Sequence, residues 1–599
     1  MHLSRIFIKH FRNFQSLDVK LSGNAVILGE NRTGKSNLLY ALRLIFDHNL
    51  PDSARQLSPS DFWDGLETLS ADDNIVVSVE IKEFEHDPDI LAVLTDFRLD
   101  DDPETVRLSY ELRAKADLDV NAPISAEDFE FFCYGGESGT KTYGHKLRRR
   151  IAMEVLPALR DAESDLAVWR RSPLRPLVEE AFRTVDQDSL AAIGEAIEEV
   201  TGKITQFEEV QVLQQRIADA FLELSGPRQD IRPGIGFSPA DPTRLHRSIR
   251  LLIDDGARGI DDASLGSANL VFLSLKTLEI RQLISENSRD HTFLAIEEPE
   301  AHLHPHLQRS VYRQMFESVD GAETPGPLSV ILTTHSPHIA SVSPLRSIVL
   351  LKDHGEKGTV GYSAQEINLS DDEADDIARY LDVTRAEMLF ARGVILVEGD
   401  AEKFLVPPFA ARIGQPLDRL GITVCSVSGT NFKPYVKFLS GLGIPFSIIT
   451  DRDPREGKRP LAYKRSCNLV TVIEVQRTGE RPNDVLAELA ELSDYEEFRE
   501  RCEAFGIFSN QQTLEVDLFK EGFAGAIIGT LREYNQSATR REQIDRWNDD
   551  PDSLDESTLL KMIDRIGKGR FAQRLLSHCE ETDPPAYIAR AIRYVADRV

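Results

Sequence analysis

The chain has 599 residues, too many for one hydrophobic core, so about three or four units are expected. With 99 acidic against 70 basic residues the formal net charge is −29, which excludes a general electrostatic grip on nucleic acid and leaves that task to local basic patches. The five cysteines (Cys133, Cys425, Cys467, Cys502, Cys579) form no Cys-x-x-Cys pair, which argues against a disulfide framework or zinc ribbon. No run of about 18 apolar residues occurs, and Arg5, Lys9 and Arg12 interrupt the first stretch, so a cytoplasmic chain without a membrane segment is expected.

In chain order, Leu3–Phe14 alternates like an edge strand and ends in Phe11-Arg12-Asn13-Phe14, either a plain turn or an arginine placed to hold a nucleotide. Gly29–Ser36 reads Gly-Glu-Asn-Arg-Thr-Gly-Lys-Ser and fits the P-loop pattern at every fixed position, with an apolar strand before it and a helical pattern after it. In such a loop the backbone from Gly29 through Asn31 to Gly34 wraps the phosphates of ATP. Lys35 reaches the β/γ-phosphates and Ser36 ligates Mg²⁺. Asn74–Phe84 and Thr105–Ala114 read as strands around a short helical excursion, and Gln56 or Asp61 falls where ABC-type ATPases carry a metal- and water-sensing loop.

From about Lys146 to Gly226 the pattern is helical, with Leu177, Phe182, Leu190, Ile193, Ile197, Val200, Ile204, Phe207 and Val210 at three- and four-residue steps. This insertion is either a hairpin that buries its own stripe or a dimerisation arm. The basic cluster at its start, His145–Arg150, reads as a solvated face more readily than as a phosphate contact.

Ser264-Leu265-Gly266-Ser267-Ala268-Asn269 opens another helix and resembles a degenerate ABC signature, whose Ser264 and Gly266 would contact nucleotide held by a second subunit. Phe293–Pro305 then gives an apolar strand ending in paired carboxylates. Glu297 is assigned to the metal shell and Glu298 to the base that polarises water; glutamate at 297 departs from the usual aspartate. Zinc binding by His302, His304 and His306 is the rival, disfavoured because an acidic strand end suits an ATPase better. Val330–Pro337 is a further buried strand ending on His335, the position that senses the γ-phosphate in ABC ATPases. A signature acting in trans implies at least a dimer.

After an acid-rich connector, a second α/β pattern begins. Gly393–Val397 is a buried strand capped by Glu398-Gly399-Asp400-Ala401-Glu402. Gly421–Ser428 and Ile444–Thr450 are further strands, the last running into Asp451-Arg452-Asp453. Carboxylates at the ends of parallel strands converge on one crevice, where Mg²⁺ or Mn²⁺ suits their oxygens. Gln512–Leu518 is read as another acidic strand end that adds Glu515. Arg452–Arg465 carries six basic residues, either a DNA-backbone patch or a solvated loop. Lys568, between Gly567 and Gly569, either approaches a phosphate or opens a helix.

Glu398-Gly followed by Asp451-x-Asp453 resembles the Toprim fold. An ABC ATPase split by a helical arm and followed by Toprim resembles the OLD (overcoming lysogenization defect) family, which includes Gabija-type and retron-associated antiphage effectors. The resemblance implies DNA nicking or cleavage with metal held by Glu398, Glu402, Asp451, Asp453 and Glu515, with Lys568 matching the family's catalytic lysine. It also implies assembly through the ATPase half, as a homodimer or larger oligomer, and regulation by ATP. A defence-system partner protein or RNA-DNA element is a further implied companion. A non-nucleolytic, RecF-like repair ATPase is the alternative. The expected architecture is α/β multidomain: ABC ATPase at 1–150 and 231–360, helical dimerisation insertion at 151–230, connector at 361–392, and Toprim with a helical C-terminal part at 393–599.

Overall fold

Strands buried on both faces must be apolar throughout, and β3 (Ala-Val-Ile-Leu-Gly) and β14 (Gly-Val-Ile-Leu-Val), defined below, are buried at every position. The computed structural model describes all residues except 67–68, 116–125, 159–161, 205, 226–246, 248, 255–256, 321–325, 535–536 and 580–581. The strands are β1 (His2–Phe11), β2 (Phe14–Lys20), β3 (Ala25–Gly29), β4 (Ile75–Lys82), β5 (Val106–Ala114), β6 (Phe129–Gly135), β7 (Ile151–Leu156), β8 (Leu252–Ile253) and β9 (Arg258–Gly259). After them come β10 (His291–Glu297), β11 (Leu328–Thr333), β12 (Ile348–Asp353), β13 (Thr359–Ser363), β14 (Gly393–Val397), β15 (Ile422–Ser426), β16 (Phe446–Thr450) and β17 (Ile507–Ser509).

Packing divides the described chain into two compact units: Met1–Leu156 with His291–Glu300 and His304–Val599, and Pro157–Asp290 with Ala301–Leu303. The first unit holds three sheets. One is antiparallel, in the order β2-β1-β4-β5-β6. The second, β13-β12-β3-β11-β10-β7, is parallel except at β13 and is followed at β3 by helix α1 (Lys35–Phe46). The third, β15-β14-β16-β17, is parallel throughout. Two hydrophobic cores serve these sheets, one around α1 and the first two, the other around β14, β16 and the C-terminal helices.

The second unit contains α2 (Leu174–Arg183), α3 (Gln187–Ile204), α4 (Glu208–Ser225) and α5 (Leu265–Ser285). The expected helical stripe is present, but Leu190 is its buried member, whereas Ile193, Ile197, Val200, Ile204 and Phe207 are exposed, Val200 by 61%. A hairpin that buries its own stripe is therefore not what forms.

The insertion begins later than expected. Ile151–Leu156 pairs in parallel with β10 as an edge strand of the P-loop sheet, so the boundary at 150–151 moves to 156–157. A six-residue apolar run does not by itself distinguish strand from helix. The boundary at 230–231 lies outside the described residues. In the basic cluster, Arg148 is buried and donates to the Ile45 carbonyl at 3.0 Å, so it serves the fold. The connector at 361–392 includes the end of β13 and a helix, Asp371–Tyr380, with Ser370 and Glu373 closing a capping box. Past it the first unit continues through α6 (Asp400–Arg412), α7 (Leu461–Thr478), α8 (Leu514–Leu518) and α9 (Lys568–Leu575). Among the described residues no helix is long and apolar enough to cross a membrane.

Candidate functional site

Sheet register builds the first centre. Ile27 of β3 pairs with Thr333 of β11, and Thr333 pairs with Glu297 of β10. The residues just beyond those positions, the P-loop, His335 and Glu298, therefore emerge side by side at the carboxyl edge of one parallel sheet, where such sheets bind ligands. They line a cavity of about 410 Å³ together with Arg12, Asn31, Gly34, Lys35 and Ser36. Gly29 ends β3 at the start of the loop. Gly34 caps α1 at φ 86°, and a Cβ there would come within 2.1 Å of the Asn13 side chain, so only glycine fits. Asn13 itself donates to the Thr33 carbonyl and to Thr359, tying the β1–β2 turn to the P-loop.

Lys35 is buried and donates to the carbonyls of Gly29 at 3.1 Å and Glu30 at 2.8 Å. Burial lowers its pKa to about 8 against the pull of Glu298 and Glu300. His335 Nε2 lies 3.7 Å from Glu298 Oε1, and its pKa is lowered by burial and then by Lys35. Glu297 closes β10 opposite Thr333. Glu300, not singled out by the sequence, accepts from the His335 backbone at 2.6 Å and from Thr334 Oγ1 at 2.8 Å, fixing the histidine loop. It belongs to the same acidic run as Glu298, so a signal for it was present.

Both readings of Arg12 meet here: it sits in a hairpin turn, at φ 51°, and it faces the cavity. Asp61 Oδ1 at 3.0 Å, Asn37 Oδ1 at 2.8 Å and the Tyr40 ring hold its guanidinium. Gln56 instead donates to the Phe129 carbonyl, a contact that serves the fold. Ser264 and Gly266 belong to the second unit. Ser264 caps α5 through the Ser267 amide, and a Cβ on Gly266 would meet the His302 carbonyl at 2.5 Å. Among the described residues no group of three His, Cys, Asp or Glu is arranged as it stands to hold a metal ion, and that includes His302, His304 and His306.

The second centre follows the same logic. Val397 pairs with Ile449 in parallel, so Glu398 comes off β14 beside Thr450 and Asp451 coming off β16. Glu398 Oε1 accepts from the Asp451 amide at 2.9 Å and from the Thr450 hydroxyl. Glu402, in the first turn of α6, is buried, beside the half-buried Glu398 and Asp451. Glu515 is 1% exposed but sits on the first turn of α8, not at a strand end, because β17 stops at Ser509 and helix begins after Thr513. Lys568 Nζ reaches Glu515 Oε1 at 3.1 Å from the first residue of α9. Gly569 lets α9 pack closely on the start of α6: a Cβ there would stand 3.1 Å from Asp400 Cβ.

Burial, then Glu398, Glu402 and Glu515, hold the Asp451 carboxyl well above the usual range. Burial, with Glu515 and Glu398 behind it, pushes Glu402 up to about 7. Burial pulls Lys568 down, but Glu515, Asp451 and Glu402 more than offset this and leave it raised. These residues fit a divalent cation: Glu515 Oε2 is buried with no hydrogen-bond partner, and Glu398, Glu402, Asp451 and Glu515 act on one another at close range, where a hard, oxygen-seeking ion adds positive charge beyond that of Arg465 and Lys568. Glu398, Glu402, Asp451, Asp453 and Glu515 are the oxygens available to it.

Two positioning residues carry no sequence signal. Asn510, buried beyond β17, donates to Asp451 Oδ1 and accepts from the Arg452 amide, and Asp517 caps the loop at Gln511. The basic window divides. Arg452 stacks on Tyr495 and Arg465 turns inward, while Arg455, Lys458, Arg459 and Lys464 stay exposed.

Comparison with known proteins places these centres in context. Residues 389–453 match the family model described as overcoming lysogenization defect protein-like, TOPRIM domain; residues 161–340 match an AAA ATPase domain, and residues 1–160 match a protein of unknown function (DUF2813). The chain is similar to the C-terminal region of the Burkholderia pseudomallei OLD protein, at 44% identity over 35% of this chain and 98% of that one, with TM-score 0.30. It is 24% identical over 465 residues to the OLD nuclease of Thermus scotoductus, covering 75% of this chain and 82% of the relative. Endonuclease GajA of Bacillus cereus is 24% identical over 489 residues, covering 78% and 79%.

Proposed function

The chain belongs to the OLD family, and on that premise we propose that it is a divalent-metal-dependent DNA endonuclease regulated by ATP, acting in antiphage defence. The observation that carries this reading is the convergence of Glu398, Glu402, Asp451 and Glu515 with Lys568 at the carboxyl edge of a parallel sheet. Mg²⁺ or Mn²⁺ held there would activate water and stabilise the leaving oxygen of a phosphodiester.

The chain's own groups supply the rest. Lys568, kept protonated by its carboxylate neighbours and with its side chain half-exposed, offers charge to a phosphate oxygen where negative charge builds. Thr450 and the Asp451 amide orient Glu398, and Asn510 orients Asp451. Exposed Arg455, Lys458, Arg459 and Lys464 grip the DNA backbone, the local patch that an acidic chain requires.

In the ATPase half, Lys35 and Ser36 take the phosphates and Mg²⁺, Glu298 orients water, and His335 reports on the γ-phosphate. The exposed apolar stripe of α3 and α4 supports assembly into a homodimer or larger oligomer, in which Ser264 and Gly266 face a partner's nucleotide. Glutamate at 297 favours nucleotide as a switch over nucleotide as fuel.

The test is to incubate the purified chain with supercoiled DNA in Mg²⁺ or Mn²⁺, with and without ATP. Nicked or linear product that depends on the metal is expected, with a change in rate on adding ATP. DNA retained in a complex but never cut would transfer the assignment to a RecF-like binding ATPase.

A further inference from the structure

Arg465 stands among the acids as a cation. It lies on the second turn of α7 with its side chain 12% exposed. Its Nη1 reaches Glu398 Oε1 at 2.5 Å and also contacts the Thr450 hydroxyl and the Asp451 carbonyl, the last at 3.3 Å; its Nη2 binds Asp453 Oδ2. One guanidinium thus bridges the acid leaving β14 and the second acid of Asp451-x-Asp453. Among the described residues Lys568 makes no such bridge: its ion pair is with Glu515, and its side chain is 51% exposed.

The geometry suits arginine. Its planar fork spans two carboxylates at once, whereas an ammonium is a point charge. A guanidinium offers only donors and one positive charge, so it quiets two acids without doing what a divalent ion does. Among the described residues no three carboxylates are arranged, as they stand, to hold a metal. Glu398 and Asp453 face Arg465, Glu515 faces Lys568, and Asp451 faces Asn510.

We propose that Arg465 is the resident counter-cation of this centre: it holds Glu398 and Asp453 together before a divalent metal binds, and it yields at least one of them when the metal arrives. It is a positioning residue that sets metal affinity, and the proposal rests on the metal-dependent reading given above. A bridge that merely holds the fold together would break in the variant with no gain in metal affinity. A competing cation gives a gain.

The experiment titrates Mn²⁺ alone into the nucleotide-free full chain by calorimetry, for the parent, Arg465→Gln, Arg465→Lys and Asp451→Ala. Melting temperatures are taken in chelator and in Mn²⁺. Arg465→Gln should bind Mn²⁺ roughly tenfold more tightly, the scale on which neighbours of metal ligands act. It should also melt lower in chelator and gain more on adding Mn²⁺. Arg465→Lys, which keeps the charge but loses the fork, should fall between and keeps the test open if the glutamine variant folds poorly. Unchanged or weaker Mn²⁺ binding in both Arg465 variants overturns the proposal. Absence in the parent of any Mn²⁺ binding that Asp451→Ala removes overturns the metal-dependent reading, and the proposal with it.

Discussion

Arg392 Nε and Nη2 donate to the two carboxylate oxygens of Glu30, each at 2.8 Å. Glu30 is the second residue of the P-loop, and Arg392 precedes β14, which ends at Val397 just before Glu398, so a two-pronged pair joins the nucleotide loop to the strand that leads into a proposed metal ligand. Beside it lies a cavity of about 600 Å³ walled by Gly29, Asn31 and His335 on one side and Phe390, Gly421 and Thr423 on the other.

Both side chains of that pair are roughly half-exposed, so it contributes at most about 1 kcal/mol to stability, and its consequence lies in coupling. Arg392→Ala should melt close to the parent and still cut DNA without nucleotide. The effect of ATP on cutting should weaken at least about fivefold. Cleavage rates with and without ATP in both proteins check this, and an undiminished ATP response would count against the link.

His291 gives a pH dependence of stability. It is fully buried beside Phe293, its Nε2 meets Ser329 Oγ at 3.0 Å, and burial lowers its pKa to about 3. The ordinary value is 6.5, so below that pH the unfolded chain takes up a proton that the folded chain refuses. Stability from this group is complete above pH 6.5 and falls by up to ~1.4 kcal/mol per unit on the way down to about pH 3. Urea midpoints of the parent should therefore drop more steeply from pH 7 to 4 than those of His291→Asn. Parallel profiles would contradict it.

Exposed apolar residues on α3 and just beyond it give a prediction about assembly. Val200 and Phe207 are 61% and 58% exposed. Replacing both with glutamate should shift the chain to monomer mass by light scattering. The change in stability should stay within about 0.5 kcal/mol per site, as for surface positions. An unchanged mass would remove this stripe from the interface.

How much of this was legible in the sequence depends on the range over which each feature is encoded. Gly29–Ser36 is local chemistry at fixed spacing, so the P-loop and the buried strand before it read directly. The Glu398 and Asp451 strand ends were legible for the same reason, since fully apolar runs announce buried parallel strands. Glu515 was found but misplaced: a single acid among apolar residues fits a strand end or a first helical turn equally well. Ile151–Leu156 was absorbed into the helices after it because six apolar residues carry no decisive period. Arg465 was hidden in a basic window: it and the exposed Lys464 are neighbours on α7, and only their places around that helix set one inward and the other outward. Glu30 and Arg392 lie 362 residues apart, and nothing local marks either.

The central claim is that two phosphate-handling centres on one chain do separate chemistry. Asp451→Ala, compared with the parent on supercoiled DNA in Mg²⁺ or Mn²⁺, tests it most directly, with binding of a fluorescent ATP analogue as the control. Cleavage should be abolished while nucleotide affinity stays at the parent's value. Cleavage retained in the variant would contradict the assignment of the acidic centre.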